Sequence, residues 1–312
     1  MNTSLVKEFR FMGLTDRHEL YIPLFILFLF VYIITVLGNV GIIGLIKMNK
    51  HLQKPMYLFL SNLSFVDLTY SSSVTPKMLQ DLLSESRTIS YIGCSLQMYI
   101  FVSFATIECL LLGVMAYDRY VAVCRPLLYG VIMSSIVCLQ LVTSAYLGGF
   151  LTALVHTSFV FHVNFCKSNV ISHYFCDLLP LFKLSCSDIS VNIAVMFILG
   201  GLVTMTCLII IIVSYTNVVL AIVRIRSAQG RYKALSTCTS HMTAVTIFYG
   251  TVLFMYFRPS NSYALQQDKV VSVFYSILIP MLNPLIYSLR NTEVKEALKG
   301  LVKKIVQNKC ID

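Results

Sequence analysis

The chain has 312 residues, of which 57% are hydrophobic and 12% are charged. A soluble domain needs more charge than this to cover its surface, so the composition excludes a soluble protein and indicates an integral membrane protein. The formal net charge is +10, but the basic residues fall in short clusters between apolar runs. They form no patch with interleaved aromatic residues, so we expect no nucleic-acid partner and interpret the charge as a signal of membrane topology.

The first 22 residues are mixed in charge, with three basic and three acidic side chains and no leading apolar core. This composition predicts no cleavable signal peptide, so we expect the first membrane helix to direct insertion. Asn2 begins an Asn-Thr-Ser sequence, which predicts N-glycosylation if this end of the chain is extracellular.

Seven apolar segments follow, each close to the roughly 20 residues with which a helix spans a bilayer. We predict them at residues 23–46, 57–79, 91–117, 132–161, 191–223, 234–257 and 270–289. The chain has no internal repeat and no long linker, which favours one domain over residues 1–312. The absence of a repeat also counts against a transporter built from two similar halves.

The basic residues identify the cytoplasmic side. Fifteen of the 24 Lys and Arg residues, against four acidic residues, lie in the connecting segments 47–54, 118–131, 224–233 and 290–312. The positive-inside rule therefore predicts an extracellular N-terminus, residues 1–22, and a cytoplasmic tail, residues 290–312. We predict an all-α protein of the plasma membrane, a seven-transmembrane helix bundle in which residues 293–304 form a short cytoplasmic amphipathic helix.

Two acidic residues lie inside the predicted spans. Asp67 and Glu108 are costly at membrane depth, so we expect them to face the bundle interior or a water-filled cavity. Neighbours such as Asn39 and Asn62 could satisfy Asp67 in a packing role, and a switching role is the open alternative. Glu108 precedes Asp118 by ten residues, about 15 Å along a helix, which places it near mid-membrane.

The third and seventh spans end in polar motifs. Asp118 and Arg119 are either a charged stop at the membrane interface or a switch, and the triplet alone leaves both open. Pro284 has no backbone N–H and interrupts the helical hydrogen-bond ladder, so Asn283 and Tyr287 lie at a predicted hinge.

Four cysteines, Cys94, Cys166, Cys176 and Cys186, lie in the predicted outer segments, and two disulfides among them can form in three ways. The stretch from His173 to Asp177 also resembles a metal site. Because a disulfide-bonded cysteine offers no thiolate, we predict no metal there.

Several motifs resemble one family. Residues 115–129 read MAYDRYVAVCRPLLY, residues 233–245 read KALSTCTSHMTAV and residues 280–291 read PMLNPLIYSLRN. Residues 55–72 read PMYLFLSNLSFVDLTYSS and residues 248–251 read FYGT. The order and spacing of these five motifs resemble those of the odorant receptors among the rhodopsin-like G protein-coupled receptors. The chain is identified as a member of the large tetrapod group, class II, of this family.

The resemblance implies roles for these residues. The G-protein switch would comprise Asp118, Arg119, Tyr120, Tyr215, Asn283, Pro284 and Tyr287. Tyr215 would meet the released Arg119, although an interfacial belt tyrosine is the alternative. His241 would be a structural hydrogen-bonding residue, with a pH sensor as the alternative.

A site for a shared proton or a sodium ion would comprise Asn39, Asp67 and Glu108. The resemblance also implies that the disulfides join Cys94 to Cys176 and Cys166 to Cys186.

The resemblance also implies an odorant cavity within the bundle. Its contact residues would be Phe101, Val102, Ala105, Thr106, Leu199, Val203, Tyr249, Val252, Leu253, Tyr256, Ser272 and Ser276. Residues 95–107 carry no charge, so we expect small, neutral, mainly hydrophobic volatile ligands. The partners implied are an odorant, membrane lipid and a stimulatory olfactory-type G protein that raises cyclic AMP. No catalytic activity is implied, and no cofactor is expected other than a sodium ion that the site near Asp67 and Glu108 could hold.

Two other classes fit the residues less well. A channel or transporter needs polar rings along several helices, whereas Asp67 and Glu108 are the two acids within the predicted spans. A membrane metalloenzyme needs His, Cys and carboxylate residues at ligand spacing, and the six histidines show no such cluster beyond the stretch at His173.

Overall fold

The structure, a computed structural model, describes residues 6–166, 168–256 and 264–309, and the counts below refer to these residues. Long apolar runs form the main helices, and the last of the seven is a composite. They are α1 (Tyr21–Met48), α2 (Pro55–Leu83), α3 (Tyr91–Cys124), α4 (Ser135–Phe161), α5 (Ser190–Arg224), α6 (Ala228–Tyr256), α7 (Ala264–Val273, a π-helical turn Phe274–Leu278, and Ile279–Arg290) and the tail helix α8 (Thr292–Lys309).

Most helix boundaries extend beyond the predicted segments, and two differ for a clear local reason. α6 begins at Ala228 rather than at residue 234, because the Ser227 hydroxyl accepts a hydrogen bond from the Gly230 amide at 3.2 Å. α4 begins at Ser135 rather than at residue 132, because Ser134 caps it through the Val137 amide at 3.5 Å. Residue 257, the predicted end of the sixth span, lies outside the described residues.

The surface of the bundle is suited to lipid. In the described part of the chain, five helices are long and apolar enough to cross a membrane, namely α1, α3, α4, α5 and α7. α2 is more polar because it contains Asp67, Lys77 and Asp81. On α5, Ile198 and Leu202 are both 63% exposed, as expected of side chains that face acyl chains.

A small sheet, which the sequence analysis did not predict, covers one end of the bundle. Its central strand β1 (Glu8–Phe11) pairs antiparallel with β2 (Thr88–Ser90) and parallel with β3 (Val170–Ile171). Phe9 and Phe11 are buried beneath it, and the ring of Phe9 meets that of Phe165 edge to face at 5.4 Å. The alternation of charged and aromatic residues over positions 8–11 is the signal that could have predicted β1.

Two disulfides hold the long loop 162–189 across the same end, which we call the disulfide end. They join Cys94 to Cys176 and Cys166 to Cys186, with Cα–Cα distances of 5.6 and 5.8 Å. These are the pairs implied by the family resemblance. The loop reaches the interior of the bundle, because Gln97 of α3 accepts a hydrogen bond from the Cys176 amide at 3.0 Å.

Candidate functional site

A cavity of about 250 Å³ lies inside the bundle towards the disulfide end. It is bordered by α2, α3, α4, α5, α6, α7 and the loop 162–189. Six of the predicted ligand contacts line it, namely Phe101, Val102, Ala105, Thr106, Val203 and Val252. The predicted helix faces therefore converge on a single space.

Ser272 and Ser276, which were also predicted as contacts, do not line this cavity. The Ser272 hydroxyl is 3.2 Å from His173 Nε2, and the Ser276 hydroxyl is 3.0 Å from the Tyr174 hydroxyl. Residues of the loop 162–189 therefore bind the face of α7 that the resemblance assigned to ligand. The sequence could not predict this contact, because the path of the loop depends on its disulfides.

Three other predicted contacts lie just off the cavity wall. Leu199 and Leu253 are each one residue from a lining position, which turns them about 100° around the helix axis. Tyr249 lies below the cavity, where its hydroxyl donates to the Cys109 carbonyl at 3.2 Å. The side chain of Tyr256 lies outside the described residues.

Sequence reasoning missed several lining residues, among them Tyr70, His156, Asp177 and Tyr275. His156 lies alone in an apolar segment, which was an available signal of a polar interior position. Asp177 lies in the loop, and Oδ1 of its carboxylate accepts a hydrogen bond from the Leu178 amide at 2.8 Å. Burial, reinforced by the charge of Asp268, raises the pKa of Asp177 to about 6.

Phe101 forms an aromatic wall of the cavity. Its ring stacks on Tyr70 at 4.7 Å, lies 4.7 Å from the Phe175 ring and 6.1 Å from the Tyr275 ring. Only 6% of Phe101 is exposed, so its position is fixed by packing with α2, α7 and the loop. The size of this side chain therefore limits the size of the cavity.

A buried polar cluster lies deeper in the bundle. The Asn283 amide donates to both oxygens of Asp67, at 3.2 and 3.0 Å, and lies 3.4 Å from Glu108 Oε1. Both acidic side chains are fully buried, and Glu108 Oε2 has no hydrogen-bond partner within the described residues. Two carboxylates that share one amide in a low dielectric cannot both be ionised unless a cation is present.

Asn39, which was assigned to the same cluster, binds elsewhere. Its amide donates to the carbonyl of Pro280 at 3.0 Å, and no hydrogen bond joins it to Asp67 within the described residues. The carbonyl of Pro280 is available because Pro284, four residues later, has no N–H to donate. Gly38 permits this close approach of α1 and α7, since a Cβ there would lie 3.0 Å from Pro284 Cγ. The Asn39 amide nitrogen therefore bonds the carbonyl that the break in α7 leaves free, while Asn39 Oδ1 is buried without a partner within the described residues.

Asp118, Arg119 and Tyr120 of the predicted switch lie at the opposite end of the bundle, whereas Asn283 belongs to the deep polar cluster. Arg119 and Asp118 form a buried ion pair, with Arg119 Nε 3.1 Å from Asp118 Oδ2. The Tyr129 hydroxyl donates to Asp118 Oδ1 at 2.7 Å. Burial and the charge of Asp118 raise the pKa of Tyr129, so it remains a neutral donor. Tyr120 is half-buried and lies beside Tyr117, with ring centroids 6.1 Å apart.

Tyr215 contacts α6 rather than Arg119. Its hydroxyl lies 2.6 Å from His241 Nδ1, and the two rings stack with centroids 5.7 Å apart. The hydroxyl of Tyr287 is buried without a partner within the described residues. Arg119 is therefore paired with Asp118, and no hydrogen bond joins it to Tyr215 within the described residues.

The stretch around His173 shows no arrangement for a metal. Cys176 is in a disulfide, and burial, together with the charge of Lys269, lowers the pKa of His173 to about 3. Among the described residues, no three His, Cys, Asp or Glu side chains come together as a metal site. His173 instead orients the loop through Ser272.

A seven-helix bundle with an interior cavity near one end and a buried Asp-Arg pair at the other defines a G protein-coupled receptor. The family model "Olfactory receptor" matches residues 28–308 of the chain. The chain is 53% identical to human Olfactory receptor 5I1 over 98% of each chain, and 54% identical to human Olfactory receptor 5F1 over 97% of this chain and 96% of that one. It is 53% identical to chicken Olfactory receptor-like protein COR5 over 96% of each chain. The chain belongs to the olfactory receptor family, as its motifs predicted, and is a multi-pass membrane receptor without enzymatic activity.

Proposed function

We propose that the protein binds small, neutral, mainly hydrophobic volatile molecules in the cavity and then activates a stimulatory olfactory-type G protein that raises cyclic AMP. The apolar cavity walled by Phe101, Val203 and Val252 is the observation that carries this proposal. Ligand sites of this kind are mostly apolar with a few placed polar groups. A ligand of about ten heavy atoms makes few contacts, so we expect weak binding.

We further propose that the disulfide end faces the extracellular side and that Asp118 faces the cytoplasm. Disulfides form in oxidising compartments, and the connections at the Asp118 end carry most of the basic residues. In this proposal the receptor lies in the plasma membrane, with an extracellular N-terminus and a cytoplasmic α8. This orientation also exposes Asn2, which lies outside the described residues, to glycosylation.

The contacts of α6 support a route from the cavity to the switch. Tyr249 joins α6 to Cys109 of α3 just below the cavity, and His241 joins α6 to Tyr215 of α5 at the opposite end. A ligand that displaces α6 breaks both contacts. Tyr215 is then free to bind Arg119 once it leaves Asp118, which opens the cytoplasmic end to a G protein.

Asp67, Glu108 and Asn283 form the proposed site for a shared proton or a sodium ion. We expect Glu108→Gln to reduce the dependence of agonist potency on sodium and pH, because the second ionisable group at the site is removed. Potency is measured as cyclic AMP across a series of sodium concentrations and pH values. The exposed Glu85→Gln is the matched control. A response of Glu108→Gln to sodium and pH identical to that of the parent contradicts the shared site.

Because Phe101 limits the size of the cavity, its replacement should change the size of the preferred ligands. Phe101→Ala enlarges the cavity, so we expect larger ligands to gain potency relative to smaller ones, with a stability loss of about 3–5 kcal/mol. Tyr256→Phe, which removes a phenol at a family contact position, should also change the ranking of ligands. Dose-response curves at matched surface level measure both effects. Phe30→Ala on the outer face of α1 is the control, and unchanged potency of every ligand in both variants contradicts the assignment.

A screen tests the proposed ligand class directly. Neutral volatiles, their permanently cationic analogues and short peptides are applied to cells that express the receptor, and cyclic AMP is measured. We expect activation by neutral, mainly hydrophobic members. A permanent cation or a peptide as the strongest agonist contradicts the proposal.

A further inference from the structure

Asp177 of the loop 162–189, Tyr70 of α2 and Tyr275 of α7 lie near one another in the lining of the cavity, and we call this group the polar end. Asp177 is half-buried, and only Oδ1 of its carboxylate is engaged within the described residues, by the Leu178 amide. No hydrogen bond of the Tyr70 or Tyr275 hydroxyl is formed within those residues either. The polar end therefore has one carboxylate oxygen and two hydroxyls without a partner within the described residues, in a cavity whose other lining residues are mostly apolar.

The surrounding contacts hold these groups in place. Tyr70 is 2% exposed and stacks on Phe101, and Asp177 directly follows Cys176, whose sulfur is tied to α3. The Leu178 amide orients the carboxylate, because Asp177 caps the short helix Leu178–Phe182. A fixed acceptor discriminates between ligands more strongly than a mobile one, since it cannot move to avoid an unsuitable group.

We propose that Asp177 selects ligands whose head group donates a hydrogen bond, namely alcohols, and orients them with the hydroxyl at the polar end and the hydrocarbon chain along Phe101 and Val203. This inference rests on the proposed function. The free carboxylate oxygen accepts the hydroxyl proton of the alcohol, while the phenols of Tyr70 and Tyr275 can donate to its oxygen. An ether of the same size has no proton to donate, so it leaves the carboxylate without a partner as water is displaced.

The ionisation of Asp177 adds a second, independent property. Its pKa of about 6 reflects burial and the charge of Asp268, so the group is mostly ionised at neutral pH. The other titratable groups that face it or share its cavity are Tyr70, Tyr174, Tyr275 and His156. When the pH falls below this pKa, Asp177 becomes protonated and can donate to an acceptor such as an ether oxygen. The preference for alcohols should therefore weaken on acidification.

The test uses pairs of isomeric primary alcohols and methyl ethers with equal numbers of heavy atoms. Cyclic AMP is measured in intact cells expressing the full-length receptor, at neutral external pH and at a pH about one unit below the pKa of Asp177. We expect the alcohol of each active pair to be more potent by on the order of tenfold to a hundredfold at neutral pH, as for a hydrogen bond to a charged group. Acidification should reduce this ratio.

Asp177→Asn keeps an oxygen to cap the Leu178 amide and removes the charge, so the receptor should still fold. We expect this variant to lose most of the alcohol preference and all of its pH dependence. The control is Asp188→Asn in the same loop, because Asp188 is exposed and binds only Ser190 within the described residues. Surface level is measured for each variant.

The outcomes separate this inference from the proposed function. If ethers are as potent as alcohols, or if Asp177→Asn keeps the preference and its pH dependence, the role of Asp177 is overturned while the proposed function stands. If neither alcohols nor ethers activate the receptor and a permanent cation or peptide does, both are overturned.

Discussion

Arg119→Ala is expected to abolish agonist-driven cyclic AMP and to leave the amount of receptor at the cell surface unchanged. Arg119 is 8% exposed and paired with Asp118 on the same helix, so the pair adds little to the packing of one helix on another. Asp118 loses its counter-charge in the variant but keeps the hydrogen bond from Tyr129, so it still has a hydrogen-bond partner. Folding should tolerate the change.

Signalling should not tolerate it, because Arg119 is the residue that Tyr215 is proposed to bind when α6 moves. We expect the agonist response to fall by at least about tenfold, corresponding to about 1.4 kcal/mol or more of lost coupling free energy. Arg125→Ala is the matched control, since Arg125 is an exposed arginine at the end of the same helix. Normal signalling by Arg119→Ala at a normal surface level would falsify its role in coupling.

The second large effect concerns the disulfide between Cys94 and Cys176, whose loss should prevent most of the receptor from reaching the surface. This bond closes a sequence separation of 82 residues, and the chain-entropy model gives about 4.5 kcal/mol for a loop of that length. Both cysteines are fully buried, so their replacement also leaves a packing defect. Cys94→Ser and Cys176→Ser should be similarly severe, and the double variant should add little.

The bond between Cys166 and Cys186 provides an internal comparison. It closes a separation of 20 residues, for which the same model gives about 3.3 kcal/mol, so Cys166→Ser should be milder. Cys124→Ser, at a free and half-buried cysteine, is the control for the substitution itself. Surface staining and the thermal stability of purified receptor measure the severity of the defect in each variant. Normal surface staining of Cys94→Ser, or a larger defect in Cys166→Ser, would contradict the expected ranking.

The helices and the deep polar residues could be predicted because their signals are local. Long apolar runs require helices in a bilayer, and an acidic residue such as Asp67 must face the interior. The contact of Asn283 with both Asp67 and Glu108 follows from those two constraints once the helices pack. The hydrogen bond of Asn39 to α7 was not predicted, because it depends on the carbonyl that Pro284 leaves free.

The disulfide end could not be predicted in the same way, because its contacts join distant parts of the chain. β1 pairs with strands about 80 and 160 residues later, and loop closure over such distances leaves no periodic pattern in the sequence. The loop 162–189 brings Asp177 to the cavity and uses Tyr174 to cover Ser276. The apolar part of the cavity was therefore predicted and its polar end was not.

Ligand-dependent cyclic AMP in cells that lack the stimulatory G protein α subunit, with and without its restoration, tests the central claim most directly. The claim is that a small neutral molecule in the cavity activates this class of G protein through Arg119. We predict a dose-dependent rise in cyclic AMP that requires the restored subunit, is absent in Arg119→Ala at equal surface level, and changes its ligand ranking in Phe101→Ala. A ligand response that persists without the subunit would contradict the claim. A receptor whose only ligand response is a fall in cyclic AMP or an ion current would also contradict it.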